Sequence, residues 1–295
     1  MKAIVYTKYG PPDVLQLKEV EKPTPNDNHV LVQVHAASVN PADRARLGMP
    51  FLVRLVIWLL RPKLVGGLLK PKNTILGADI AGRVEAVGRN VTDFRPGDEV
   101  FGVSAGGFAE YACAAETKLA LKPANVTFEA AAAVPVAGVT ALQGLRDKGR
   151  IQRGQKVLIH GASGGVGTFA VQIAKSFGAE VTAVCSTRNL DAARSMGADR
   201  VIDYTQEDFT RNEQRYDLIF AVNGYHSLSD YKRALSPQGT YVCAGGTMPQ
   251  IFQALLLGSL RSGKGGKKMG SMGIAKVNHK DLVFLAELLE AGKVK

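Results

Sequence analysis

The stretch "VLIHGASGGVGTFAVQIAKSFGA", residues 157–179, decides the fold. An apolar strand pattern runs into a cluster of glycines, and a helix pattern follows. Glycines let the backbone approach a pyrophosphate and let the helix pack closely on a sheet. The free N–H groups at the start of that helix favour phosphate. The order of strand, glycine turn and helix therefore predicts a dinucleotide-binding βαβ unit.

The glycine turn departs from the usual G-x-G-x-x-G pattern at one position. Gly164 and Gly167 take the second and third glycine positions, whereas Ala162 takes the first. The flanking strand and helix strengthen the match, because structural context is what makes such a motif specific. A glycine-rich turn without a ligand is the alternative. The predicted phosphate-binding residues are Ser163, Gly164, Gly165, Val166 and Gly167.

The regions on either side of this stretch differ in character. After residue 156, apolar strand runs alternate with helix patterns, as in "AEVTAVCS" followed by "LDAARSMG". That order predicts a doubly wound parallel sheet and an α/β fold. Residues up to about 125 are instead β-rich and punctuated by turns such as "YGPP" and "RPGD". From Thr127 an Ala-rich helix begins, which Pro135 and Gly138 are expected to interrupt.

The end of the second parallel strand indicates which dinucleotide binds. An NAD site usually carries an acid there to hold the ribose hydroxyls. This chain has Ser186, Thr187 and Arg188 instead. Hydroxyl groups and a guanidinium suit a 2′-phosphate, so the pattern favours NADPH over NADH as the cofactor. The alternatives are that Arg188 is a solvated loop residue or that Asp191 supplies the missing acid.

Composition limits the remaining function classes. The 295 residues are 46% apolar and 21% charged, which is typical of a globular protein. The three cysteines are widely spaced, which argues against a disulfide framework or a thiolate zinc site and indicates a cytoplasmic location. The net charge of +11 is compatible with nucleic acid, an anionic surface or an acidic small molecule. The basic segment "RSGKGGKKMG" lacks interleaved aromatics, so a basic loop is its first interpretation.

The most apolar run is "FLVRLVIWLLRPK", residues 51–63. It is too short to span a bilayer and contains Arg54, Arg61 and Pro62. A helix that faces the core or covers a cleft is the first interpretation. A weak contact between residues 51–69 and a membrane surface is the alternative.

Several motifs in order along the chain carry a family resemblance. They include "ASVNPADRARLG", "ILGADIAGRVEAVG", "FRPGDEVFGV", "AAAVPVAGVTALQGL" and "GASGGVGTFAVQIAK". The chain resembles the zinc-independent, quinone oxidoreductase-like medium-chain dehydrogenases/reductases. The resemblance implies a partly open β-barrel-like, GroES-like catalytic domain at 1–126 and an NADPH-binding Rossmann domain at 127–278, with the active site in the cleft between them. It further implies that residues 279–295 begin a return to the catalytic domain whose remainder is missing, and that the protein is a homodimer.

The positions of the zinc ligands in related dehydrogenases predict that this chain binds no metal. "SVNPADR" carries Asn40 and no thiol, and "GADIAG" carries Ala78 and Asp79 where zinc-dependent relatives have His and Glu. Without a Lewis acid, hydride transfer from NADPH to a quinone or an α,β-unsaturated carbonyl is the favoured reaction. Asp79 is then expected to be structural, held by backbone N–H groups or a basic side chain.

Asn40 is the predicted catalytic residue, which orients substrate or nicotinamide. The alternative is that Asn40 only caps the helix beginning at Pro41. The family resemblance adds cofactor contacts at Thr140 and Tyr204, and the end of a later strand adds Ala244 and Gly245. The alternative function is an NADPH-binding sensor or an RNA- or partner-binding module with little catalysis.

Overall fold

A computed structural model describes residues 1–60, 67–246 and 266–295. Two compact units account for the chain. Unit 1 comprises Met1–Val136 and Val277–Glu290, and unit 2 comprises Ala137–Lys276 and Ala291–Lys295. Residues 61–66 of the apolar segment and 261–265 of the basic segment lie outside the described residues.

Unit 1 is built on an antiparallel sheet. Its strands are β3 (His29–Ser38), β4 (Asp79–Val87), β5 (Glu99–Val103), β6 (Tyr111–Ala115) and β7 (Leu119–Leu121), in the order β6-β3-β4-β5-β7. A separate hairpin pairs β1 (Lys2–Val5) with β2 (Gln16–Glu19). Alternating apolar residues supply the core, including Val30, Val32, Ile80 and Val84. Among the described residues the sheet does not close into a barrel, which agrees with the predicted partly open, GroES-like domain.

In the described part of unit 1, helices follow the strands or connect them. Helix α1 is Pro41–Gly48, α2 is Phe51–Leu60 and α3 is Phe128–Ala132. Thr127 caps α3, since its hydroxyl accepts a hydrogen bond from Ala130 N at 3.2 Å. The break expected at Pro135 is confirmed, because α3 ends before it and α4 (Pro135–Leu142) begins there. The break expected at Gly138 is wrong, because α4 continues through it.

Unit 2 carries a six-stranded parallel sheet. Its strands are β8 (Lys156–His160), β9 (Glu180–Cys185), β10 (Arg200–Asp203), β11 (Tyr216–Ala221), β12 (Leu235–Cys243) and β13 (Lys268–Ser271). The order β10-β9-β8-β11-β12-β13 is the 3-2-1-4-5-6 arrangement of dinucleotide-binding folds. The predicted α/β fold with a doubly wound parallel sheet is therefore confirmed.

Helices join the parallel strands of unit 2 within the ranges that the structure describes. They are α5 (Gly165–Ser176), α6 (Leu190–Ser195) and α7 (Leu228–Ala234). Helix α5 is buried at every position from Phe169 to Ala174, and β8 is fully buried at Val157–Ile159. Burial of both sheet faces explains why these strands are continuous apolar runs.

The last helix, α8 (His279–Glu290), belongs to unit 1. His279 Nδ1 donates to the carbonyl oxygen of Leu119 at 2.7 Å, which fixes the start of α8 beside β7. None of the described helices has both the length and the apolar character needed to cross a membrane.

Candidate functional site

The strand order of unit 2 reverses between β8 and β11, which pair in parallel from Val157 opposite Leu218 to His160 opposite Ala221. Ligands of such sheets bind outside the carboxyl ends of the strands at this reversal. The glycine turn 161–167 follows β8 there. The sheet topology thus positions the predicted phosphate-binding residues where a dinucleotide is held in this class of fold.

Two glycines of the turn are required by the protein itself. Gly161 has a φ of 89°, and a Cβ there would lie 2.9 Å from the Cβ of Asn223. A Cβ on Gly167 would lie 2.1 Å from the carbonyl oxygen of Gly161. These two positions let the turn close and let α5 pack tightly on it.

Two other glycines leave open space instead. A Cβ on Gly165 would meet nothing within 4 Å, and one on Gly164 would make only an ordinary contact. Both residues and Ser163 are exposed, at the point where α5 begins with its first N–H groups lacking intrahelical partners. A surface of bare backbone and unpaired N–H groups fits a pyrophosphate.

The residues predicted to select NADPH follow the next two strands of the sheet. Ser186 and Arg188 follow β9, and Tyr204 follows β10. Arg188 and Tyr204 are exposed, and Arg188 forms no ion pair with a described residue. The hydroxyl of Ser186 already accepts a hydrogen bond from Asn189 Nδ2 at 2.9 Å. Arg188 is thus the cation available at this edge for a 2′-phosphate.

An acid that the sequence reasoning did not weigh lies beside this group. Thr187 Oγ1 donates to Asp203 Oδ2 at 2.5 Å, and this hydrogen bond helps to hold the pKa of the Asp203 carboxyl below its usual range. Asp203 is the last residue of β10. A search for an acid at the end of β9 alone therefore does not find it. The Thr187 hydroxyl donates its proton to Asp203, so it is not available to donate to a 2′-phosphate as the sequence suggested.

A cluster of rings surrounds the last residue of β8. His160 Nδ1 lies 2.7 Å from the hydroxyl oxygen of Tyr231, and its ring meets that of Tyr225 at 4.8 Å. Burial is the main cause, and the neighbouring His226 the second, of a pKa for His160 that is lowered to about 3, so its ring is neutral. Sequence reasoning missed Tyr225, whose ring lies 6.2 Å from that of Tyr204, because no local motif marks it.

The other predicted cofactor contacts lie on two different elements. Ala244 and Gly245 follow β12, and their N–H groups both donate to the carbonyl oxygen of Ala221 at 2.8 and 3.3 Å. They are therefore at the same edge of the sheet as the glycine turn. Thr140 is half-buried on α4.

Unit 1 brings a second group of predicted residues together around Asp79. The Asp79 side chain is fully buried. Its Oδ2 accepts hydrogen bonds from Ser38 Oγ at 2.9 Å and from Asn40 Nδ2 at 3.1 Å. Its Oδ1 accepts one from the backbone N–H of Val136 at 3.1 Å, at the start of α4. The expected backbone donor is present, but the other partners are a hydroxyl and an amide instead of a basic side chain.

Three hydrogen bonds do not fully offset the burial of this carboxylate. Desolvation raises the pKa of Asp79 to about 6, while the bonds from Asn40, Ser38 and Val136 act in the opposite direction. The group is consequently ionised at neutral pH but close to its titration range. An ionised carboxylate only accepts hydrogen bonds, which requires the NH₂ side of the Asn40 amide to face it.

A second acid fixes the backbone on either side of this cluster. Asp43 Oδ2 accepts from the backbone N–H of Asn40 at 2.9 Å, and its Oδ1 accepts from that of Gly77 at 3.2 Å. Asp43 thereby ties the start of α1 to the segment that leads into β4. Asn40, at 8% exposure, is held through its backbone by Asp43 and through its side chain by Asp79.

The described residues bring no three His, Cys, Asp or Glu side chains into a group that could hold a metal ion. The donors around Asp79 are an amide, a hydroxyl and a backbone N–H, which do not suit a cation. The predicted zinc-independence stays a prediction.

Unit 1 also has an open groove of about 560 Å³ that contains none of the predicted site residues. It lies between α8 and the residues around β7, and its lining includes Asp93, Lys122, His279, Val283, Glu287 and Glu290. Its mixed charges match neither an anionic cofactor nor an apolar quinone, so it is not the candidate site.

Comparison with known proteins agrees with both units. Residues 26–124 match the family model of the alcohol dehydrogenase GroES-like domain, and residues 165–275 match that of the zinc-binding dehydrogenase. A quinone oxidoreductase of Sus scrofa is 35% identical over 259 residues, which cover 84% of this chain and 74% of that protein. The chain belongs to the quinone oxidoreductase-like medium-chain dehydrogenases/reductases.

Two further relatives extend the comparison. The chloroplastic NADPH-dependent alkenal/one oxidoreductase of Arabidopsis thaliana is 38% identical over 76% of this chain, and the chain spans only 58% of that protein's length. The Escherichia coli quinone oxidoreductase, solved in complex with NADPH, superposes with a TM-score of 0.81 at 25% identity, covering 100% of this chain and 90% of that one. The fold and family predicted from the sequence are thus confirmed.

Proposed function

We propose that this protein is a zinc-independent oxidoreductase that transfers hydride from NADPH to quinones or α,β-unsaturated carbonyl compounds. The observation that carries the proposal is the exposed glycine turn that opens α5 at the reversal of the parallel sheet. The relatives that act on quinones and alkenals support the substrate class.

The proposed cofactor site uses the carboxyl edge of the sheet in unit 2. The N–H groups of Gly165, Val166 and Gly167 would receive the pyrophosphate beside Ser163 and Gly164, and Arg188 with Ser186 and Tyr204 would receive the 2′-phosphate. Thr140, Ala244 and Gly245 would contact the nicotinamide half. When bound, NADPH supplies the hydride.

The proposed substrate-side group is Asn40. Hydride addition to an enone or quinone builds negative charge on a carbonyl oxygen, and a fixed hydrogen-bond donor stabilises that charge. One N–H of the Asn40 amide is committed to Asp79, while the second N–H is left for substrate or nicotinamide. Asp79 thereby fixes the orientation of the amide.

Steady-state oxidation of NADPH with a panel of quinones and enones tests the proposal. We expect turnover on members of both classes and a lower KM for NADPH than for NADH. Tight NADPH binding, measured by calorimetry, with no turnover on the whole panel would contradict it and favour a cofactor-binding sensor instead.

The proposal extends to organisation and partners. We propose a catalytic unit at 1–126, a cofactor unit at 127–278 and a returning segment from 279, in a cytoplasmic homodimer. Sedimentation velocity at several concentrations tests the dimer.

We also propose a weak membrane-surface contact through residues 51–69, supported by the apolar side chains that this segment exposes.

A further inference from the structure

Helix α2 exposes an unusual number of large apolar side chains. Leu52 is 73% exposed, Leu59 66% and Val56 55%, and Leu69 beyond the helix is 75% exposed. Phe51, Val53 and Trp58 are exposed as well. Single apolar residues are normal at a protein surface, whereas a contiguous patch of this kind marks an interaction site.

The polar side of α2 is the side attached to the protein. Arg54 is only 7% exposed, and its guanidinium carbon lies 3.8 Å from the centre of the Tyr9 ring. The Tyr9 hydroxyl in turn donates to the carbonyl oxygen of Gly67 at 2.7 Å. The helix therefore faces Arg54 inward and Leu52 and Leu59 outward, the reverse of an ordinary surface helix.

The sequence around α2 carries a strong positive charge. Residues 41–78 contain seven arginines and lysines but a single acid, Asp43, which is buried. Four of those basic side chains are described and exposed: Arg44, Arg46, Lys70 and Lys72. An apolar face that exposed cations flank on both sides along the chain complements a surface that is apolar beneath a layer of negative charge.

We infer that the partner of helix α2 is the surface of an anionic phospholipid bilayer. Ten residues of helix are about 15 Å long, so α2 lies in the interface and does not cross it. Its outer face would enter the boundary between headgroups and acyl chains to a depth of roughly 5–10 Å, with the basic residues at the headgroups. This inference rests on the proposed membrane-surface contact and not on the hydride chemistry.

Vesicle co-sedimentation tests the inference with the full chain. We expect the protein to bind phosphatidylcholine vesicles that contain phosphatidylserine, and to bind pure phosphatidylcholine vesicles far more weakly. The double variant Leu52→Glu, Leu59→Glu should bind at least about 10-fold more weakly. The matched control Leu17→Glu, Ile274→Glu adds the same charge at two other exposed apolar positions and should bind like the wild type.

A second pair of variants isolates the electrostatic part. Lys70→Gln and Lys72→Gln should each weaken binding to the anionic vesicles about fivefold, and neither should change binding to the neutral ones. Equal binding of the wild type to both vesicle types would overturn the proposed lipid class.

Two other occupants of the apolar face would give different results. If a second copy of the chain covers it, sedimentation velocity without lipid will find a dimer that Leu52→Glu, Leu59→Glu dissociates. If another part of the protein covers the apolar face, the wild type will bind neither type of vesicle, and the double variant will melt at a lower temperature. Either result overturns the inference, and none of these measurements needs NADPH or a substrate.

Discussion

The amide nitrogen of Asn40 donates a hydrogen bond to the fully buried carboxylate of Asp79, 3.1 Å away. This bond gives the amide one orientation, because an ionised carboxylate cannot donate. It also explains why the chain retains an acid where desolvation raises the pKa to about 6. Asp79 stands where the family resemblance places a metal-binding motif in zinc-dependent dehydrogenases. Here its carboxylate instead orients the side-chain amide of Asn40.

The first prediction concerns Asp79→Asn, which removes the charge but keeps the shape. The pKa of Asp79 is higher in the folded state than its ordinary value of 3.8. Between those values the folded protein binds more protons, so the free energy of unfolding falls as pH rises from about 4 to 6. Asp79→Asn has no carboxyl group to ionise, so its free energy of unfolding does not fall in this way. At pH 8 the variant should therefore be more stable than the wild type by about 1–3 kcal/mol. At pH 4 it should not be more stable. Urea unfolding at both pH values measures the difference.

The same variant should be a poorer enzyme. Its new NH₂ group would face the NH₂ group of Asn40, so the Asn40 amide must turn over to restore a hydrogen bond. We expect kcat/KM to fall about 10- to 100-fold, as for a misplaced orienting group. Higher stability with unchanged activity would show that Asp79 does not act through Asn40.

The second prediction separates an active-site role of Asn40 from a structural one. Ser38 and Asn40 both donate to Oδ2 of Asp79, so Ser38→Ala and Asn40→Ala each remove one bond to the same atom. Both should lower the free energy of unfolding by about 1–3 kcal/mol. Only Asn40→Ala should also reduce kcat by 10-fold or more, in the range of about 10- to 100-fold expected for a misplaced orienting group.

Asn40→Ser provides the control for a capping role, because serine caps a helix as well as asparagine does. We expect this variant to be as slow as Asn40→Ala. Full activity in Asn40→Ser would mean that Asn40 only starts helix α1.

The third prediction uses two glycines of the same turn. Gly165→Ala places its methyl group in open space and improves the helix, so the protein should be as stable as wild type or slightly more so. It should nevertheless bind NADPH about 10-fold more weakly, because the methyl group lies where the pyrophosphate approaches. Calorimetric titration with NADPH measures the affinity.

Gly167→Ala should behave in the opposite way. Its methyl group would lie 2.1 Å from a backbone oxygen, so the turn must move and stability should fall by about 1–3 kcal/mol. Thermal melting compares the two variants. If Gly165→Ala binds NADPH normally, the open space beside Gly165 is not the phosphate site.

Local sequence patterns were sufficient for much of this protein. The alternation of strands and helices predicted the parallel sheet, and Pro135 marked a real helix boundary, because both depend on short-range periodicity and backbone restriction. Gly138 did not break its helix, since the burial of its neighbours Val139, Ala141 and Leu142 outweighs the low helix propensity of one glycine.

The partners of buried polar groups could not be predicted in the same way. Ser38, Val136 and Asp79 meet although 57 residues separate the last two, and no local pattern encodes that contact. The pairing of Thr187 with Asp203 across β9 and β10 was missed for the same reason. Strand-end positions were accessible to sequence reasoning, whereas the side chains that meet between strands were not.

The last prediction concerns the choice of cofactor. Arg188 is exposed, has no ion pair with a described residue and follows β9, whereas Arg194 on α6 is paired with Asp191 at 2.7 Å. Arg188→Ala should raise the KM for NADPH about 10- to 100-fold and leave the KM for NADH unchanged, because only the 2′-phosphate loses its charged partner. Arg194→Ala removes the same charge six residues away and should change neither KM by more than about twofold, since exposed charges interact weakly in water. If the two variants lose NADPH affinity equally, general positive charge selects the cofactor and Arg188 does not.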